Sequence, residues 1–231
     1  MPRTSKSQVI LALDVDTLTQ AKRWVNLLYP KIKIFKVGSH LFTTYGPKII
    51  QLLQKKGAQV FLDLKYYDIP HTVGQAIAAA TRLNVKMLTL HISGGKEMMA
   101  AAVAAAKQQA KLSKIAPPLL IGVTVLTSKS ATLKEVFALT KEGMASGLDG
   151  VVCSAQEAKK LRKKIKNNFV IVTPGIRLNQ SVKDDQKRTA TVKEAVKAGS
   201  NFLVIGRPIL KASNPLEKTQ EILGDLHGSR N

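Results

Sequence analysis

The feature that most constrains this chain's fold is a rhythm. Short apolar, β-branched runs recur at Val9–Asp14, Ile32–Val37, Gln59–Asp63, Lys86–His91, Leu119–Thr124, Gly150–Cys153, Phe169–Val172 and Phe202–Ile205. They are nearly continuous in hydrophobicity, the pattern of parallel strands covered on both faces. Helix-like stretches separate them: Leu18–Leu28, Pro47–Lys56, Thr72–Leu83, Glu97–Leu112, Leu133–Ala145, Ala155–Ile165, Thr191–Ala198 and Pro215–Leu226. The first places Leu18, Ala21, Val25 and Leu28 on one helix face. The third and fourth are rich in Ala, the best helix former. Eight strand–helix pairs in 231 residues predict an α/β fold, a single (β/α)8 TIM barrel. A doubly wound open sheet would use the same elements. No Pro/Gly/Ser-rich linker interrupts the chain, so one domain over 1–231 is expected. The polar stretch Leu178–Arg188 follows the seventh run and reads as a lid loop.

Charge raises a different possibility. The chain has 36 Lys+Arg against 15 Asp+Glu, a formal net charge of +21. A surplus of this size invites a nucleic-acid reading. The surplus is spread, however, with net +12 over residues 1–115 and net +9 over 116–231. Its densest run, Lys159 to Lys166, spaces Leu161 and Ile165 four apart, so it reads as an outer helix with its lysines in water. Aromatics are 5% of the chain and are not interleaved with the basic residues, which is poor equipment for stacking bases. No nucleic-acid partner is therefore expected. With 45% hydrophobic residues the chain is too apolar to be disordered, and no run approaches a membrane span. The apolar run after the basic N-terminus is cut short at Asp14, so it reads as a strand and not as a signal-peptide core. A lone cysteine, Cys153, suits a reducing, cytoplasmic setting and reads as a small buried thiol.

In such a barrel, chemistry belongs to the C-terminal ends of the strands. Read there, the sequence offers Asp14 on strand 1, Lys36 on strand 2 and Asp63-Leu64-Lys65 with Asp68 on strand 3. It then offers His91, Thr124 and Thr127, Gly175 with Arg177, and Gly206-Arg207. Asp63 and Lys65 are two apart, so on an extended segment both face the same way. Two amines and up to three carboxylates gathered at strand ends hold each other ionised. A structural ion-pair network is one reading of them, and a catalytic array is the other. Gly206-Arg207 offers close backbone approach and a charged fork, and the loops after strands 7 and 8 are the usual phosphate site of such barrels.

These segments together resemble the orotidine 5′-phosphate decarboxylase family. The likeness runs through ALD, KVG, FLDLKYYDIPHT, HISGG, VTVLTS, DGVVCSAQEA, VTPGIR with DQKR, and VIGRP, nearly the whole chain. It implies a homodimeric (β/α)8 barrel that converts orotidine 5′-monophosphate to UMP and carbon dioxide in pyrimidine biosynthesis, without metal or organic cofactor. It also implies roles. Lys65 corresponds to the proton donor at C6 and Asp63 to the carboxylate set against the substrate's own. Lys36 and Asp14 match groups that contact the ribose and orient the charged array, and Thr127 matches a pyrimidine contact. Asp68, Ile69 and Thr72 match the part of the motif that reaches the partner subunit's site, with Asp68 counted in the catalytic set. Arg177, Gly206 and Arg207 match phosphate ligands, and Gln186 matches the residue of a phosphate-closing lid. An enzymatic alternative is a Mg²⁺-dependent sugar-phosphate decarboxylase or aldolase of the wider superfamily. Those relatives usually carry Glu where Lys36 stands, and a cation is a poor metal ligand. His40, His71, His91 and His227 lack metal-ligand spacing.

Overall fold

The computed structural model describes residues 7–126, 131–177 and 189–228. Eight parallel strands close into a barrel in chain order. They are β1 (Gln8–Ala12), β2 (Ile34–Gly38), β3 (Gln59–Tyr66), β4 (Met87–His91), β5 (Leu119–Val123), β6 (Gly150–Val152), β7 (Val170–Thr173) and β8 (Phe202–Ile205). The ring closes where Gln8 to Leu11 pair with Phe202 to Ile205. The helices are α1 (Leu18–Leu28), α2 (Ser39–Tyr45), α3 (Pro47–Lys55), α4 (Pro70–Arg82) and α5 (Gly95–Ser113). They continue with α6 (Leu133–Ala145), α7 (Ala155–Lys164), α8 (Val192–Lys197), α9 (Arg207–Leu210) and α10 (Pro215–Gly228).

Two cores explain why the strands read as continuous apolar runs. Ile10, Ala12, Ile34, Phe61, Met87, Ile121, Val172, Phe202 and Val204 fill the inside of the barrel. Val9, Leu11, Phe35, Val60, Leu62, Leu88, Leu203 and Ile205 point the other way and pack against the helices. Successive side chains thus alternate between two apolar layers, and neither layer needs a polar residue. Several helix starts are equally local in origin. Thr17 with Gln20, Ser154 with Glu157 and Thr191 with Glu194 each form a capping box, satisfying helix N–H groups that have no partner in the first turn.

Three differences from the sequence reading matter for the site. First, β1 ends at Ala12, not at Asp14, although Leu13 N–H still donates to Lys36 O at 3.0 Å. Second, β3 runs past Asp63 to Tyr66. Leu62 pairs with Leu88 but Tyr66 pairs with Leu90, so four residues of β3 span what two cover on β4. The surplus is absorbed as a bulge, with Lys65 in the left-handed region at φ 53°. Third, α2 and α9 are additional short helices. α2 buries only Leu41, too little apolar periodicity to announce itself.

The Lys159–Lys166 run covers the later turns of α7 and the two residues after it, and its lysines are exposed as expected. Arg162 is the exception. Its guanidinium donates to Gly199 O at 3.1 Å, Phe169 O at 2.9 Å and Asn201 Oδ1 at 2.7 Å, and lies over the Phe169 ring. It ties α7 to the starts of β7 and β8. Burial lowers its pKa, with Cys153 acting in the opposite sense.

Candidate active site

Along the inward-facing side of the barrel, the apolar filling gives way to charge at its C-terminal end. Ile34 is followed two residues on by Lys36, Phe61 by Asp63 and Met87 by Thr89. Above the apolar layer lies a cavity of about 210 Å³. Asp14, Lys36, Asp63 and Lys65 line it from the β1–β3 arc, and Gly175, Arg177, Gly206 and Arg207 from the β7–β8 arc.

Lys36 Nζ lies 3.5 Å from Asp14 Oδ1 and 3.7 Å from Asp63 Oδ2. Lys65 Nζ donates to Asp63 Oδ2 at 2.9 Å. Asp63 is therefore flanked by two ammonium groups, and its side chain is only 12% exposed. Burial pushes its carboxyl up, but Lys36, Lys65 and the bonds donated by Lys65 and Thr89 outweigh that and hold it below the usual carboxylate range. Lys65 is the more accessible ammonium, at 37% against 14% for Lys36. Its charge reaches the cavity while Lys36 lies deeper among carboxylates.

The reason Asp63 and Lys65 meet is not simple strand alternation. Lys65 sits in the β3 bulge, where its backbone N–H donates to Thr89 Oγ1 at 2.9 Å. That hydroxyl in turn donates to Asp63 Oδ1 at 2.9 Å. Thr89 is fully buried and belongs to the array, yet the sequence reading passed over it. Its one signal was a hydroxyl at an inward position of the apolar run MLTLH.

On the β7–β8 arc, Gly175 adopts φ 76°, a backbone region open to glycine. Arg177 follows, its side chain mostly buried and donating to Ile176 O. Its N–H pairs with Ala190 O at 2.9 Å, and Ala190 N–H with Gly175 O at 3.2 Å. Arg177 is thus held where the chain is pinned back on itself. Gly206 passes close to β1: a Cβ there would stand 3.2 Å from Asp14 Oδ2 and 3.3 Å from the Ala12 Cβ. Arg207 follows directly and opens α9.

Asp68, Ile69 and Thr72 are not brought to this cavity within one chain. After Tyr66 the chain leaves the barrel for α4, and all three residues are exposed, Ile69 at 64%. Asp68 Oδ1 instead accepts the Ile69 N–H at 2.6 Å. Within one chain, Asp68 therefore stands apart from the Asp14, Lys36, Asp63 and Lys65 cluster, because the chain turns outward after β3. Thr127, Gln186 and the expected lid over 178–188 lie outside the described residues. Cys153 is fully buried, and the His91 ring meets the edge of Tyr67 at 5.8 Å. Among the described residues, no group of three or more His, Cys, Asp or Glu is placed to hold a metal ion. Nor is any helix among them long and apolar enough to cross a membrane.

Comparison with known proteins bears on this geometry. A model of the orotidine 5′-phosphate decarboxylase / HUMPS family matches residues 7–222. Orotidine 5′-phosphate decarboxylase of Coxiella burnetii is 46% identical over 230 residues, covering 95% of this chain and 96% of that protein. The enzyme of the same name from Geotalea daltonii is 42% identical over 233 residues, with 96% and 97% covered. The crystal structure of orotidine 5′-phosphate decarboxylase from Lactobacillus acidophilus superposes with a TM-score of 0.83 at 33% identity, over 96% of this chain and 100% of that one.

Proposed function

The chain belongs to the orotidine 5′-phosphate decarboxylase / HUMPS family, and from that premise we propose how its own residues carry the reaction. It decarboxylates orotidine 5′-monophosphate to UMP and carbon dioxide, a step of pyrimidine biosynthesis. The observation that carries the assignment of roles is the array in which Asp63 lies between the Lys36 and Lys65 ammonium groups at one cavity wall.

The C6–carboxylate bond breaks and its electron pair stays on C6 as carbon dioxide leaves. The Lys65 ammonium, the exposed member of the array, stabilises that charge and then gives C6 a proton, yielding UMP and a neutral amine that solvent reprotonates. Such stabilisation works because the donor is held in place before the charge develops. Asp63 orients Lys65 and sets a negative charge against the substrate carboxylate, raising the ground state relative to the transition state. Lys36, held between Asp14 and Asp63, orders both carboxylates and faces the ribose with Asp14. Arg177, Gly206 and Arg207 bind the phosphate. Phosphate binding remote from C6 then supplies energy for orienting the reacting group.

The decarboxylase reading is favoured over the Mg²⁺-dependent alternative by Lys36, whose cation occupies the space between Asp14 and Asp63. We place the enzyme in the cytoplasm as a homodimer, with Asp68, Ile69 and Thr72 reaching the partner's cavity. The exposure of Tyr67 and Ile69 beside α4, and of Leu112 on α5, supports a covered face there. The test is turnover of orotidine 5′-monophosphate in EDTA, followed by pyrimidine absorbance, with sedimentation of the same preparation. Turnover by a two-chain particle is expected. Folded protein without turnover sinks the reaction, metal-dependent turnover sinks the cofactor-free route, and an active single chain sinks the shared site.

A further inference from the structure

We propose that Thr89 is a positioning residue for the decarboxylation, holding the Asp63 carboxylate and the Lys65 backbone in one fixed relation before substrate arrives. The inference rests on the roles of Lys65 and Asp63 given above.

A threonine hydroxyl has one proton to donate and two lone pairs to accept with. Thr89 spends its proton on Asp63 Oδ1 and accepts the Lys65 N–H, both at 2.9 Å. The two oxygens of Asp63 are thereby divided. Oδ1 is committed to Thr89, and Oδ2 faces Lys65 at 2.9 Å and Lys36 at 3.7 Å. A carboxylate with both oxygens engaged cannot rotate, so the direction in which it holds the Lys65 ammonium is set. The other bond acts on the backbone. Lys65 is a non-glycine residue at φ 53°, a strained conformation that persists only when the surroundings impose it. In the bulge the Lys65 N–H finds a side-chain acceptor on β4, the Thr89 hydroxyl. Thr89 is itself buried to 0% exposure, and β-branching leaves it few rotamers. One stiff hydroxyl therefore couples the backbone that carries the proton donor to the carboxylate that orients it.

The variants Thr89→Val, Thr89→Ala and Thr89→Ser test this, read by kcat and KM against pH, carbon-NMR titration of Asp63 and thermal melting. Removing the hydroxyl (Val, Ala) is expected to lower kcat about a hundredfold, the scale of a small misplacement of a reacting group. KM should change by less than about threefold, because the phosphate ligands are untouched. The acid limb of kcat should move to higher pH, since Asp63 loses a donor that favours its ionised form. The other charges facing Asp63 among the described residues, Lys36 on β2, Lys65 on β3 and Asp14 after β1, are the same in every variant. Ser keeps the hydroxyl and should retain the wild-type acid limb and most of kcat. Wild-type kcat and acid limb in Val or Ala, or identical behaviour of Ser and Ala, overturns the proposal. Failure of both hydroxyl-free variants to fold would assign the hydroxyl to stability alone and also overturn it. A wild-type chain without turnover would instead sink the reading of the reaction. The Asp63 titration across the variants then tests Thr89 by itself.

Discussion

The ammonium groups at the mouth of the barrel and those on the outer face of α7 obey the same electrostatics and reach opposite arrangements. At the mouth, Lys36 and Lys65 share one carboxylate, and Lys36 and Asp63 are almost withdrawn from water. On α7, Lys159, Lys160, Lys163 and Lys164 stand exposed, with only Glu157 as a carboxylate on the same helix. Water screens the outer charges, so their crowding costs little, and those in the last turn also suit the negative end of the helix dipole. Charges withdrawn from water must find partners, because each would otherwise bear its full desolvation penalty. Close pairing at the mouth therefore reports withdrawal from water, whereas density on α7 reports only solvation. Arg162 lies between the two cases. It belongs by sequence to the outer run, yet its three carbonyl partners and the Phe169 ring make it a structural clamp.

Substitution can sharpen the contrast. Lys65→Ala should lower kcat by at least about a thousandfold, since it removes both the proton and the positive charge. Binding of UMP, measured by calorimetry, should survive because the phosphate ligands remain. Near-normal turnover would place Lys65 with the bystanders. Arg162→Met should leave kcat unchanged but cost about 2 kcal/mol, because it removes the donor from the part-buried Gly199 and Phe169 carbonyls and leaves Asn201 Oδ1 with the Ile171 N–H alone. That is a fall of roughly 4–8 °C in Tm for a chain of this length. An unshifted melt would return Arg162 to the solvated class. The smallest effect belongs to Lys159→Gln and Lys163→Gln, expected within about 2 °C of wild type and with unchanged kcat. A larger change from either would mean that the outer charges are coupled to the site after all.

Residues legible in sequence and those that were not differ in the range of the forces that place them. The barrel could be read directly because Ile10, Leu11 and their equivalents each lie against an apolar layer whichever strand is the neighbour. Burial on both faces is a property of each segment alone. The Asp63, Lys65 and Asp68 motif and the glycine–arginine pairs could be read as well, since each lies within a few residues of the end of an apolar run, even where the strand itself stops elsewhere. Tertiary structure decided what depends on register between strands distant in the chain. The bulge in β3 exists because Tyr66 pairs with Leu90 after Leu62 has paired with Leu88. That pairing puts Lys65 in a left-handed turn and brings the hydroxyl of Thr89, 26 residues beyond Asp63, onto the carboxylate. Asp68, in turn, faces outward just before α4, away from the array that its motif shares on paper. Periodicity records which side of a segment is buried. It does not record how far one strand slides along another, because that is settled only when the barrel closes and every backbone donor must find an acceptor.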